Sequence, residues 1–492
     1  MSLQALLAAR AHAAGRAQPT ALYRHRAIGT DPLCIVAWQV GVEPYAVGSI
    51  AIGRREDGFE LFVPGYPLDR DLLFQALLGF AREFCSAFEG WARGAVRCIE
   101  HRGSNLAVPV ELPQIVVANA ATIHLLSRLG RRLAYLPTEG ENAADPLLPR
   151  LGRHLQWITE YAALPGQQLI VSATDLLACR YVTAMSTLET QSLAALDAWI
   201  DPPAGTHGFE AAEDAETVVV GPMPSPEHGK RVFELMKIFN ERRGRSRDPA
   251  VVSRFIEPLR RHYDELTSRT WHLIWKVIDR ERATSEAASV ARRAEEDRIA
   301  YATHMQWMYG PAEGRHKTRM TPRQAAMRLN ELERARSLCL AEEAIDDPLC
   351  MAPHLLAGKA IAGAVVCCDT GRRERINGRN CLRPSVTIRT DEPCLMTPGA
   401  ELWWTETPTG TEWLVSTVTA QGEGALVTLV LQTNRIGTLK FPVVGRRACF
   451  SQFNTKAGYQ LILPSRTPWT HAPARAPEER DLDYESAGGR AA

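Results

Sequence analysis

The hydrophobic period of this chain changes twice, which predicts three differently built parts. From about 32 to 205, strand-like runs alternate with helical ones. From 230 to 349 the helical period is almost unbroken. From 355 to 465, short β-rich runs recur between Gly, Pro, Asn and Asp. A chain of 492 residues has room for two to four domains, each with its own core. The expected fold is multidomain α+β: an N-terminal α/β domain, a central all-helical, stalk-like domain, and a C-terminal small β-barrel or sandwich. The boundaries read as a basic N-terminal arm at 1–30, an α/β domain at 31–201 and a linker at 202–229. A basic helical domain at 230–349, a barrel-like domain at 355–465 and a disordered, Pro-rich tail at 466–492 follow.

In the first part, Leu33–Val40, Tyr45–Gly53 and Phe59–Val63 are strand candidates. Asp69 can cap a long helix whose apolar face includes Leu73, Leu77, Phe80, Phe84 and Phe88. Pro113–Ala118 and Gln168–Val171 read as further strands, with helices between and after them. In the central part, Asp248-Pro249 is an N-cap followed by Pro at the first helical position. The helix it opens carries Leu259, Tyr263, Leu266, Trp271, Ile274, Trp275 and Ile278. Long helices joined by short turns predict an antiparallel stalk.

The formal net charge of +1 hides a segregation. Residues 1–229 carry 17 Lys+Arg against 24 Asp+Glu, residues 230–340 carry 24 against 15, and the remainder 16 against 17. The neutrality is a cancellation between blocks. No lysine precedes Lys230, and Arg outnumbers Lys 50 to 7, a bias that matches a GC-rich bacterial genome. The eleven cysteines form no C-x₂-C pair, so buried, reduced thiols in a cytoplasmic protein are expected, with no metal and no cofactor. The N-terminus reads as a short amphipathic arm, and no run of 18 apolar residues predicts a membrane helix.

The usual catalytic signatures are absent. There is no P-loop, no dinucleotide fingerprint, no Gly-x-Ser-x-Gly and no H-E-x-x-H. A metal-dependent nuclease needs paired carboxylates and, commonly, a nearby lysine. Asp175 with Glu189 is one candidate pair, and other acids of the region include Glu43, Glu60, Asp69, Asp71 and Glu100. A divergent metal-dependent hydrolase or nuclease sited in the α/β domain is therefore one alternative, and a protein scaffold without nucleic acid is another.

The positive signal is basic. Arg242, Arg243, Arg245 and Arg247 cluster at one turn, and Arg315, His316, Lys317 and Arg319 at another, with Arg323 just beyond. Grouped cations bind phosphate backbones by releasing counterions, and planar guanidinium suits phosphate. In the third part, Trp403 and Trp404 can stack on unpaired bases, and a further basic loop holds Arg372, Arg373, Arg375 and Arg379. A helical stalk followed by a small barrel over about 230–465 resembles the accessory region of superfamily 1 helicases. That resemblance implies parts that guide nucleic acid. The expected function is a non-catalytic nucleic-acid-handling component, for DNA or RNA, acting beside a separately encoded helicase, ATPase or nuclease subunit and away from membranes.

Overall fold

The computed structural model describes residues 3–41, 46–186, 189–223, 225–310, 320–408, 410–433 and 439–455. The chain is mixed α+β and divides into two compact units, one reaching Thr321 and one beginning at Pro322.

The first unit opens with α1 (Leu3–Ala14), β1 (Gln18–Pro19), β2 (Leu33–Gln39), β3 (Val47–Arg55), β4 (Gly58–Phe62) and α2 (Arg70–Arg93). Next come β5 (Val96–His101), β6 (Ser104–Pro109), β7 (Ile115–Val117), α3 (Ala120–Leu133), α4 (Leu147–Tyr161), β8 (Ile170–Ser172) and α5 (Ala173–Ala178). It closes with β9 (Tyr181–Val182), α6 (Leu193–Ile200), α7 (Gly208–Glu216), α8 (Pro226–Arg243), α9 (Pro249–Arg282) and α10 (Val290–Met308).

Five strands form one sheet in the order β4-β3-β2-β7-β8. β2, β3 and β4 are antiparallel, whereas β7 and β8 run parallel to β2. Every residue of β2 is buried. Leu33, Ile35 and Ala37 enter a core with α2, α3, α4 and α10, through residues such as Phe80, Phe84, Leu129, Leu151 and Tyr301. Cys34, Val36 and Trp38 enter a second core with α5, α6, α8 and α9, through Leu176, Leu196, Leu235, Leu259 and Ile274. Cover on both faces is why this strand reads as an unbroken apolar run.

The helices from 226 to 308 therefore do not stand apart as a stalk. The apolar stripe of α9 that the sequence displays lies on the sheet: Trp38 Nε1 donates to Thr267 Oγ1 at 3.1 Å and Trp271 Nε1 to the Arg55 carbonyl at 3.0 Å. Helical period announces an apolar face but says nothing about what covers it. Asp248 caps α9 and Asp69 caps α2, each by accepting from backbone N–H groups of the first turn.

The segments on either side of the α/β part are also built in. Ala11 of α1 packs with Trp199 and Ala212, and β1 pairs with β9. The Gln39 N–H donates to the Pro222 carbonyl at 2.7 Å, and Asn119 Nδ2 to the Gly221 carbonyl at 2.6 Å. The β5–β6 hairpin, which the sequence reading did not anticipate, rests Leu106 and Val108 on Ala302 of α10.

A buried polar stitch joins these pieces. Gln114 Nε2 donates to the carbonyls of Ala27 (2.8 Å) and Gln168 (2.9 Å), and its Oε1 accepts from Gly29 N (2.9 Å). Gln168 Oε1 accepts from Ala27 N. On α10, the Asp297 carboxylate accepts from Gln168 N at 2.8 Å and from Tyr161 Oη at 2.7 Å.

The second unit begins with α11 (Pro322–Asp346) and α12 (Pro348–Leu356). Its strands are β10 (Ala360–Asp369), β11 (Arg373–Ile376), β12 (Arg379–Leu382), β13 (Ser385–Thr390), β14 (Glu401–Trp404), β15 (Trp413–Gln421), β16 (Gly424–Leu431) and β17 (Arg447–Ser451). Six of them close into an antiparallel barrel in the order β10-β13-β16-β15-β14-β17, with Val386, Ile388, Leu402, Trp404, Leu429 and Phe450 inside. β11 and β12 form a separate two-stranded ribbon between β10 and β13. Phe441–Val444, apolar in sequence, adds no strand to the barrel. The expected tail at 466–492 lies outside the described residues.

Burial raises the Asp297 carboxyl to about 6, against the lowering effect of its bonds from Tyr161 and Gln168. The folded chain then holds that proton at a pH where the unfolded chain has released it. Asp297 thus costs stability as pH rises from about 4 to 6, and no more beyond. Asp297→Asn should gain on the wild type by on the order of 2–3 kcal/mol between pH 4 and pH 7.5. Urea unfolding at the two pH values measures this; a difference independent of pH would contradict it.

Candidate nucleic-acid interface

A cation serves a phosphate only if no carboxylate of its own chain already holds it, so each basic residue is judged by its partners. Gly244, with φ of 60°, ends α8 and turns the chain through the first cluster. The Arg243 side chain is only 8% exposed, and its Nη2 lies 3.3 Å from Asp69 Oδ2. Its Nε donates to Asn240 Oδ1 at 2.8 Å, and its guanidinium lies over the Phe239 ring. Arg247 reaches Asp71 at 2.6 Å and Asp69 at 3.4 Å. Arg243 and Arg247 therefore fasten the α8–α9 turn to the N-terminus of α2. Arg242 and Arg245 are exposed and have no carboxylate partner among the described residues.

The same pairing recurs across the first unit. Lys276 and Arg280 of α9 meet Asp197 at 2.7 and 3.4 Å, and Arg180 meets Glu281 at 2.6 Å. Ion pairs cross between the two blocks in both directions: Asp69, Asp71 and Asp197 of the first meet bases of the second, and Arg24, Arg97 and Arg180 of the first meet acids of the second. Arg293 is buried, with Nη2 donating to the His25 carbonyl at 3.0 Å. Arg315, Lys317 and Arg319 lie outside the described residues, and Arg323 is exposed in the first turn of α11.

The barrel unit presents a different picture. Trp404 and Trp413 fill its core, whereas Trp403 is half-buried on the opposite face of β14, across from Ser451. Adjacent strand residues must face opposite sides, so only one of the Trp403–Trp404 pair can meet a ligand. The ribbon turns at Asn377 and Gly378, whose φ values of 49° and 79° suit a two-residue hairpin loop. Arg373 pairs with Leu382 and Arg375 with Asn380, so these two arginines share one ribbon face, and Arg379 lies on the other. All three are exposed and have no carboxylate partner among the described residues, whereas Arg372 is 3.3 Å from Glu374. Arg389 is also exposed. Ala364 pairs with Arg389 on one side and Arg447 on the other, which sets two arginines about 10 Å apart across three strands, although Arg447 lies 3.6 Å from Asp391.

None of the candidate carboxylates belongs to a group of three or more potential metal ligands among the described residues. Asp175 and Glu189 are exposed on separate elements, Glu60 and Glu100 on separate strands, and Asp69 and Asp71 are held as described; Glu43 lies outside the described residues. The C-terminal ends of the parallel strands, where an open α/β sheet binds its ligands, carry Gln39, Asn119 and Ser172 instead of acids. Gly221 and Pro222 take up the hydrogen bonds there.

One buried polar constellation escaped the sequence reading. Glu89 of α2 receives Nε and Nη2 of Arg150, the Tyr309 hydroxyl and His154 Nε2, the last at 3.2 Å. His154 Nδ1 is 3.0 Å from His304 Nε2, and the His304 ring stacks on Trp157 with centroids 4.1 Å apart. Burial alone would raise the Glu89 carboxyl, but the bonds from His154, Tyr309 and Arg150 bring it down to about 2. Burial lowers His154 and, with a push from Glu89, raises the Cys85 thiol to about 12. The signal was present: Glu89 and His154 occupy core positions in the helical period of α2 and α4.

Arg243→Ala should cost about 2 kcal/mol by removing a buried guanidinium with its bonds to Asp69 and Asn240, Arg247 remaining beside Asp69. Arg245→Ala should stay within about 0.5 kcal/mol of the wild type. Thermal unfolding of the two variants tests this division, and equal shifts would refute it.

Comparison with protein-family models, with curated proteins and with solved structures yields no match.

Proposed function

We propose that this chain is a non-catalytic nucleic-acid-handling component whose main binding surface is on the barrel unit. The observation that carries the proposal is the ribbon: Arg373, Arg375 and Arg379 are exposed, close in sequence and without a carboxylate partner among the described residues. Phosphates take such groups readily, because guanidinium offers planar, bidentate donors and releases condensed counterions. Arg389 and Trp403 extend the surface over the barrel wall with a cation and an aromatic ring suited to a base. Arg242 and Arg245 offer a second, smaller contact on the first unit. Among the described residues the strand ends carry Gln39, Asn119 and Ser172 in place of acids, which favours a binding role over hydrolysis, so cutting or unwinding falls to a separately encoded nuclease or motor.

The test is binding of single- and double-stranded DNA and RNA by the full chain across a salt series. At least one of these should bind at low salt, with log affinity falling linearly in log salt. The triple variant Arg373→Ala, Arg375→Ala, Arg379→Ala should reduce that slope by about 2 to 3, one per lost phosphate contact. No binding at low salt would transfer the chain to the scaffold reading. An unchanged slope in the variant would remove the ribbon from the interface.

A further inference from the structure

We infer that Cys85, Glu89 and His154 form a zinc site that clamps α2 to α4. Cys85 and Glu89 are four residues apart on one helix, which sets both on the same buried face. His154 meets them from α4. One ligand atom from each, the Cys85 Sγ, a Glu89 carboxylate oxygen and a His154 ring nitrogen, lies within 4.8 Å of the other two. Around a tetrahedral zinc, with bonds of about 2.0–2.3 Å, such atoms stand roughly 3.3–3.8 Å apart. The Glu89 Oε1 to His154 Nε2 separation is already 3.2 Å, so small side-chain rotations close the set.

The surroundings match what a ligating imidazole needs. Its second nitrogen normally donates to an outer partner that fixes the ring, and His154 Nδ1 has His304 Nε2 at 3.0 Å. Trp157 in turn orients His304 by stacking at an interplanar angle of 4°. Arg150 and Tyr309 hold the Glu89 carboxylate in the same way. Two proton arrangements satisfy the histidine pair. With a hydrogen on Nε2, His154 donates to Glu89 and accepts from His304. With the hydrogen on Nδ1, it donates to His304, and its Nε2 lone pair then faces a carboxylate oxygen; that arrangement calls for a cation between them.

A thiolate, an imidazole and a carboxylate together suit zinc better than magnesium or calcium, which prefer oxygen alone. Uptake releases the Cys85 thiol proton to solvent and forms the Zn–S bond; a water completes the tetrahedron. Near-complete burial of all three ligands assigns the ion to holding two helices together rather than to turnover.

The experiment is a cobalt titration of the untagged, chelator-treated full chain. One Co²⁺ per chain should give intense tetrahedral visible bands and a near-ultraviolet thiolate-to-cobalt band, and Zn²⁺ should bleach them. Cys85→Ser should abolish the thiolate band, while Cys98→Ser and Cys179→Ser, which change exposed thiols of the same unit, should keep it. Absence of the band in the wild type, or its survival in Cys85→Ser, overturns the proposal. X-ray absorption of the zinc-loaded wild type needs no variant: one sulfur with nitrogen and oxygen neighbours supports the site, and a shell of several sulfurs overturns it. None of these outcomes depends on nucleic-acid binding.

Discussion

Burial of β2 on both faces is the constraint from which the first unit follows. A strand with apolar side chains above and below it needs a helical layer on each side. The chain supplies those layers from distant stretches: α2, α3 and α4 early, then α8, α9 and α10 more than a hundred residues after β2. Once these late helices are committed to the sheet, their basic side chains come to rest beside the acids of the earlier part. Asp69, Asp71 and Asp197 each meet an arginine or lysine from the later block. Part of the charge separated along the sequence is thereby recombined in space, and Arg243, Arg247, Lys276 and Arg280 are the cations it ties up.

The local elements were legible because their signals are local. The caps at Asp69 and Asp248, the runs at Leu33 and Phe59 and the short strands after 360 depend on neighbours a few residues away. The assignment of α9 was not legible, because Leu259, Tyr263 and Ile274 would look the same facing another helix as they do facing a sheet. The choice between barrel and sandwich stayed open for a related reason: closure is decided when β17 pairs with β10, residues 447–451 against 360–364.

The candidate sites divide along the same line. Basic clusters can be counted in the sequence, and the ribbon arginines were visible there, but nothing in the sequence distinguishes Arg243 from Arg245. That difference comes from Asp69, 174 residues away from Arg243. The Cys85–Glu89–His154 group was hidden more thoroughly. Its cysteine has no partner at metal-finger spacing, and its histidine lies on another helix, so only the packing of α2 on α4 brings the donors together.

Closure of the barrel has a further consequence for the ribbon. Each barrel strand has two hydrogen-bonded neighbours, and the ribbon leaves the wall between Asp369 and Ser385, which are themselves paired. Its length, tip and charge can therefore vary without opening a seam in the wall. Mutation can reshape and recharge this surface while the barrel that carries it stays the same.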